Sequence, residues 1–420
     1  MTGNEIKENI ENPGQLEKLY QADKKGFKNA FLTVYPEISA FKSAHFWKVR
    51  LEYDAPPEDQ FKIDRIDILF LILTCVITGI LIKIPQIFDI NLKEFPFYER
   101  NAALIVFLGL STYSFLSRET INKRALMISV GAFLLAAIYI NLLPSIKDSD
   151  SIRLAYIHLP LLTWSVYGLI YIDFDTKDKA KRIDYIKYNG DLAILSGLIL
   201  IAGVILAGVT IGLFSAIGLK VDRFYMDYIA IGGVVSAPVV STWIIRNYPS
   251  MTNKIAPVIA NIFSPLVLIT LIIYLISIPL AGKDLYNDRN FLLIFNLMLL
   301  GVMGIIAFSI SETSIHKKQK FNELTLFLLV VVTLIIDLVA LSAIVYRLGE
   351  YGFTPNRTAV LGSNLLIFGN LILILIDLMK VNFKHKDIRQ VELTIAGYLP
   401  IYVLWTMIVV FGFPLLFGLR

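Results

Sequence analysis

The chain has 420 residues, 56% of them hydrophobic and only 17% charged, with a mean hydropathy of +0.66 and a net charge of +5. Soluble domains sit nearer about 45–50% apolar and about 25% charged, so an ordinary soluble globular protein is excluded. The positive excess needs no nucleic acid to explain it, because basic cytosolic loops give a membrane protein that balance.

The first 65 residues are mixed and charged, and are expected to form a cytosolic helical segment. Asn12-Pro13 is a cap-then-proline helix start. After it Leu16, Tyr20, Phe27, Phe31, Val34 and Tyr35 recur near helical spacing, followed by Ile38, Phe41, Phe46, Trp47 and Leu51 before Pro56-Pro57. Two amphipathic helices could pack on each other, lie on a membrane surface, or dock a protein partner. No secretory signal precedes them, so the first apolar run is expected to be an uncleaved anchor.

Apolar runs then fall at 66–84, 101–117, 124–143, 152–172, 192–218, 225–245, 255–280, 291–311, 324–346, 358–379 and 393–417. Runs of about 20 residues cross a hydrocarbon core about 30 Å thick, so eleven membrane helices are expected. Lys and Arg divide 27 against 12 between the side of the amino-terminal tail and the other side. The positive-inside rule then places the amino terminus in the cytosol and the carboxyl terminus outside, in a bacterial cytoplasmic (inner) membrane.

Landmarks in this chain occur twice. Leu81-Ile82-Lys83-Ile84-Pro85, Glu99-Arg100-Asn101 and Ser117-Arg118-Glu119-Thr120 return as Leu275-Ile276-Ser277-Ile278-Pro279, Asp288-Arg289-Asn290 and Ser311-Glu312-Thr313. Arg153 to Asp173 lies over Arg357 to Asp377 without a gap. This order and spacing predict an internal duplication. The copies are offset by six helices, an even number, so both share one orientation. The expected organisation is a cytosolic segment 1–65, a first repeat 66–224, a linking helix 225–254 and a second repeat 255–420, all-α throughout.

Gly208-x-x-x-Gly212 in the fifth run is a small-residue spacing that lets helices approach. Pro238 in the sixth is expected to kink or break it, and Pro257 and Pro265 fall in the seventh. Interrupted helices often line transport sites, but Gly and Pro are also common in membrane helices, and the interruption is not mirrored in the other half.

Soluble-enzyme motifs are absent: no Gly-x-Ser-x-Gly, phosphate loop, dinucleotide glycines or His-Glu-x-x-His. Cys75 is the single cysteine, which excludes an intrachain disulfide and a thiol metal site. His45, His158, His316 and His385 lack metal spacing, so neither metal nor cofactor is expected. His158, just before Pro160, reads as an interface residue bonded to a carbonyl, with a proton carrier as the alternative.

The duplicated charges are more informative. Arg100, Arg153, Arg289 and Arg357 start even-numbered helices on the external side. Glu119, Asp173, Glu312 and Asp377 end the same helices inside. Each opposes its own helix dipole by about 0.3–1 kcal/mol, so each is expected to have a partner. The acids have Lys123, Arg124, Lys177, Lys179, Lys317, Lys318, Lys380 and Lys384 nearby. For the arginines, pairing with carboxylates, contact with lipid phosphates, or an external site for an anionic lipid or solute all remain open. Asp337 is expected nine residues from the external end of the ninth helix, roughly 13 Å deep at 1.5 Å per residue. Asn364 and Asn370 fall at comparable depth and could hydrogen-bond it, while Tyr139 and Asn141 occupy the corresponding place in the first copy. A structural polar pair and a proton or cation site are the two readings.

Thr354 capping with Pro355 in the first turn predicts a helix start. The turn Glu350-Tyr351-Gly352-Phe353-Thr354-Pro355-Asn356-Arg357 resembles the uncharacterised multi-pass bacterial family filed as domain of unknown function 4153. The segment from Asn12 to Tyr20, with Phe46-Trp47 and Arg50-Leu51, is similar to members of such families. The resemblance implies a bacterial membrane protein and brings no activity or site. Two functions are therefore carried forward. One is a transporter or lipid-handling permease with a site between the repeats. The other is a signalling or assembly scaffold that recruits a partner through residues 1–65.

Overall fold

The computed structural model describes residues 3–53, 65–146, 148–216, 220–248, 264–276, 289–313, 320–384 and 386–419. Among them every regular element is helical. The chain divides into two compact units, Met1–Arg65 and Ile66–Arg420.

The first unit holds four helices, α1 (Gly3–Glu8), α2 (Pro13–Ala22), α3 (Lys24–Ile38) and α4 (Lys42–Tyr53). Asn12 caps α2 by accepting from the Gln15 amide at 3.2 Å, as its sequence signal predicts. The long first periodic stretch is two helices and not one, because Asp23 interrupts it. Its carboxylate accepts from the Gly26 amide at 2.8 Å and starts α3 afresh. Leu16, Tyr20, Phe27, Phe31, Val34, Ile38, Trp47 and Leu51 are buried together, so the apolar periodicity is spent inside the unit. Arg50 closes this core, pairing with Glu17 at 2.7 Å and lying over the Trp47 ring at 4.7 Å. Phe41, Phe46 and Val49 remain exposed.

The second unit runs α5 (Arg65–Ile82), a short α6 (Ile84–Ile87), α7 (Phe97–Leu116), α8 (Lys123–Leu142), α9 (Asp150–Tyr171) and α10 (Lys179–Ala216). Then come α11 (Asp222–Phe224), a π turn at Tyr225–Ala230 and α12 (Ile231–Asn247). After these follow α13 (Ser264–Ile276), α14 (Arg289–Thr313), α15 (Lys320–Tyr351), α16 (Pro355–Lys384), α17 (Arg389–Met407), a second π turn at Ile408–Gly412 and α18 (Phe413–Leu416). Eight helical spans among the described residues are long and apolar enough to cross a membrane. The protein is an all-helical membrane protein.

Three differences from the sequence reading have physical causes. α10 begins at Lys179, a dozen residues before the apolar run, because Tyr185 and Tyr188 bury a face that its charged residues hide in a hydropathy average. Pro238 lies inside α12, and the irregular backbone comes earlier, at the π turn. A Cβ on Gly208 would meet nothing within 4 Å among the described residues, and the surroundings of Gly212 lie outside them. The close approach is at Gly190, where a Cβ would come within 2.0 Å of the Phe308 ring. Pro257 lies outside the described residues.

α7, α8 and α9 pack on one another in the first half, and α14, α15 and α16 do so in the second. The two sets weight these contacts differently. α7 packs chiefly on α9, whereas α15 packs chiefly on α16.

Candidate functional site

The external arginines are best followed from the helix ends they meet. The last carbonyls of any α-helix lack an intrahelical donor and carry the negative end of its dipole. Arg100, on α7, is 1% exposed and donates to the Asn141 carbonyl at 3.0 Å, the Ile140 carbonyl at 3.4 Å and Ser145 Oγ at 2.9 Å. Its guanidinium also lies 4.5 Å from the Phe95 ring centroid. Arg100 therefore caps the carboxyl end of α8. Arg357, at the start of α16, donates to the carbonyls of Tyr351 and Gly352 at 2.7 and 2.8 Å and so caps α15. Each arginine opposes the dipole of its own helix and serves that of the antiparallel neighbour. This answers the question of their partners without a carboxylate. Thr354 caps α16 as expected, accepting from the Arg357 amide at 3.3 Å.

Arg153 differs. It is exposed and lines a cleft of about 710 Å³ with Lys93, Glu94, Glu99, Ser145 and Tyr156. The side chain of Arg289 lies outside the described residues. His158 sits with Nδ1 2.9 Å from the Leu154 carbonyl, a bond that places its proton on Nδ1.

At the other helix ends, Asp173 pairs with Arg118 at 3.1 Å, and not with Lys177 or Lys179. Arg118 also donates to the Ile170 carbonyl, so it caps α9. Asp377 pairs with Lys380 at 2.7 Å and accepts from Thr394 at 2.6 Å. Glu312, buried, lies 3.8 Å from Lys187 on α10. Glu119 is exposed. Lys181, in the first turn of α10, lies 2.8 Å from Asp175 in the loop before it and holds that carboxyl below its ordinary range.

Asp337 is fully buried in α15, fourteen residues from its last residue and so about 21 Å from that end. This is deeper than the sequence reading puts it, because α15 continues to Tyr351. Neither carboxylate oxygen has a hydrogen-bond partner among the described residues. Asn364 and Asn370 are buried at 1% and 0% exposure, and the amide bond that each makes goes elsewhere. Asn364 donates to Asn296 Oδ1 at 2.8 Å, and Asn370 donates to the Tyr402 hydroxyl at 3.0 Å. The Asn370 carbonyl oxygen is left without a partner as well. The Asn370 bond to Tyr402 brings polar groups of α16 and α17 together, and α15 packs on α16. An apolar set surrounds them, with Leu334, Ile336, Ala340, Ile367 and Leu371 in the same core.

In the first half several polar groups pair with one another, although Ser111 Oγ and one oxygen of Asp191 there also lack a partner among the described residues. Asn101 and Asn141 exchange reciprocal amide bonds of 2.8 and 3.0 Å. Tyr167 bonds Tyr188 at 2.8 Å, and Tyr188 bonds Thr242 at 2.7 Å. Tyr139 donates to the Val410 carbonyl at 3.1 Å, inside the π turn between α17 and α18.

Two candidate places thus emerge, the Arg153 cleft and the Asp337 cluster. The cleft is lined from residues 92–157, and the described groups of the cluster come from α15, α16 and α17. Neither straddles the two halves, where the sequence reading expected a site. That reading passed over Tyr402 and Asn296, which lie in apolar runs without any motif. It also passed over Lys187, which lies before its fifth helix. Among the described residues no group of three His, Cys, Asp or Glu side chains could hold a metal ion. Compared with family models, curated proteins and solved structures, the chain finds no match.

Proposed function

We propose that this chain is a multi-pass transporter of the bacterial cytoplasmic membrane that carries an ion at Asp337 while it moves its substrate. In this reading the amino terminus is cytosolic, the carboxyl terminus is external, and eleven crossings form two parallel repeats. The supporting observation is the carboxylate itself. A buried carboxyl without a donor costs several kcal/mol, roughly, and an ionisable group at that depth in a membrane is a functional site by default. A structural polar pair would require Asn364 or Asn370 to donate to it, and both donate elsewhere. The fully buried cluster then corresponds to a state closed to both sides of the membrane. Membrane lipid surrounds the helices, and the Arg153 cleft is the place for an anionic lipid or solute.

The scaffold reading draws on a different observation, the exposed Phe41, Phe46 and Val49 of the first unit, which would dock a protein partner. Uptake separates the two. Proteoliposomes holding the full chain are offered a cell extract, and their contents are compared by mass spectrometry. Accumulation of a solute by the native chain, lost in Asp337→Asn, is expected. Equal contents for native, variant and empty vesicles would favour the scaffold. Orientation is tested separately with Lys181→Cys in a chain lacking Cys75. An impermeant reagent should leave it unmodified in intact cells.

A further inference from the structure

We infer that the ion carried at Asp337 is a proton and not a metal cation, an inference that rests on the ion-carrying reading above. It follows from counting donors, acceptors and free carbonyls around the cluster. Asp337 offers two acceptor oxygens and Asn370 a third, and none has a partner among the described residues. The Tyr402 hydroxyl oxygen accepts from Asn370, and no described donor reaches any of the three. These buried acceptors then lack a donor, and one proton on the carboxyl group supplies it. That proton turns Asp337 into a donor and removes its charge in the same step.

A sodium or potassium ion would remove the charge too, but it needs several oxygens around it. Cation sites in membrane transporters find them in backbone carbonyls freed where helices unwind. Here α15 is unbroken from Lys320 to Tyr351, α16 from Pro355 to Lys384 and α17 from Arg389 to Met407. Their carbonyls are used within the helices except at Ala396, which Pro400 inside α17 leaves without a helical donor and which Arg182 takes at 2.8 Å. The π turn that would free carbonyls begins at Ile408, and Tyr139 already takes those of Val410 and Phe411. A proton needs neither extra ligands nor extra volume in a core packed by Ile336, Ala340 and Leu371.

No charged group competes for the site among the described residues at that level. α16 brings Asn364 and Asn370, α14 brings Asn296, and α17 brings Tyr398 and Tyr402, whose rings lie 5.2 Å apart. The next charges are Asp377, held by Lys380 and Thr394, and Glu392 along α16 and α17, with Arg182 and Lys179 of α10 meeting α17 at Ala396 and Gly397. The bound state is the neutral acid, and the released state is the carboxylate with the proton passed to water once the cluster opens.

Infrared spectroscopy of the full chain in lipid bilayers tests this, because a protonated acid in apolar surroundings absorbs apart from carboxylates. The expected result is a protonated-acid band that vanishes in Asp337→Asn and weakens as pH rises. It should stay unchanged when sodium or potassium replaces choline. Should the variant fail to fold, isotope-labelled aspartate in the native chain shifts the same band and serves instead. A band abolished by sodium at constant pH would overturn the proton and leave the ion-carrying reading standing. A spectrum without any aspartate band of a protonated acid at any pH, with or without sodium, would overturn both.

Discussion

The two halves of the membrane unit solve one problem with different residues. In each, a helix ends with carbonyls that lack an intrahelical donor, α8 at Leu142 and α15 at Tyr351. α8 is capped by Arg100, reaching across from α7, while α15 is capped by Arg357, reaching back from α16. By sequence Arg100 corresponds to Arg289, and Arg357 to Arg153, so the two caps are not counterparts. The sequence pattern keeps an arginine at each corresponding position. It does not preserve which cation meets which helix end. The counterpart left over in the first half, Arg153, faces a cleft instead.

The polar interiors differ more deeply. In the first half the amides and hydroxyls close on one another, as in Asn101 with Asn141 and Tyr167 with Tyr188 and Thr242. Tyr139, near the place that corresponds to Asp337, finds carbonyls in the π turn of the other half. In the second half Asp337 and the Asn370 carbonyl find nothing. Buried polar atoms without a partner among the described residues occur in the first half too, among them Ser111 Oγ and one oxygen of Asp191, so what marks the second half is a carboxyl group with neither oxygen bonded.

This contrast can be broken most sharply at Arg100. Arg100→Gln uncaps buried carbonyls and leaves α8 without its cation, so a loss of about 2–4 kcal/mol is expected in thermal or detergent unfolding. An unchanged midpoint would mean that the guanidinium is dispensable to the first half. Tyr139→Phe removes one bond to the π turn and should cost about 1 kcal/mol by the same measurement. Arg357→Gln acts at a more exposed helix end and should cost about 0.5–1 kcal/mol, reduced by salt. A cost equal to that of Arg100→Gln would erase the distinction between the two caps. Asp337→Asn should bring no loss of thermal stability, because it removes an acid that lacks a donor. A clear loss would reveal that the acid is held by a partner.

The smallest effect lies in the loop between α9 and α10. Lys181 lowers the folded-state value of Asp175, so the pair stabilises the protein above the ordinary carboxylate range, about pH 3.9. That contribution is lost as pH falls through the lower folded value. Native chain and Asp175→Asn should therefore unfold alike in strong acid, with the native chain slightly ahead at neutral pH. Because the pair is exposed, salt should shrink the gap.

Much of the architecture was legible in residue order. Composition set the class, runs of about twenty apolar residues marked the helices, and Asn12, Thr354 and Pro355 marked starts that the structure has. These are local signals, and a helix satisfies its backbone locally. α10 escaped in part because its buried face is made of tyrosines among charges. The sequence alone also located Asp337, Asn364 and Asn370 inside membrane helices and showed that the external arginines needed partners. Which groups meet was decided by tertiary structure. Arg100 finds a carbonyl 41 residues away, Tyr139 one 271 residues away, and Asn364 turns to Asn296 and away from Asp337. Helix crossings fix those distances, and no spacing along the chain encodes them. The same holds for the missing donor at Asp337, since an absence of partners exists only once all the neighbours are in place.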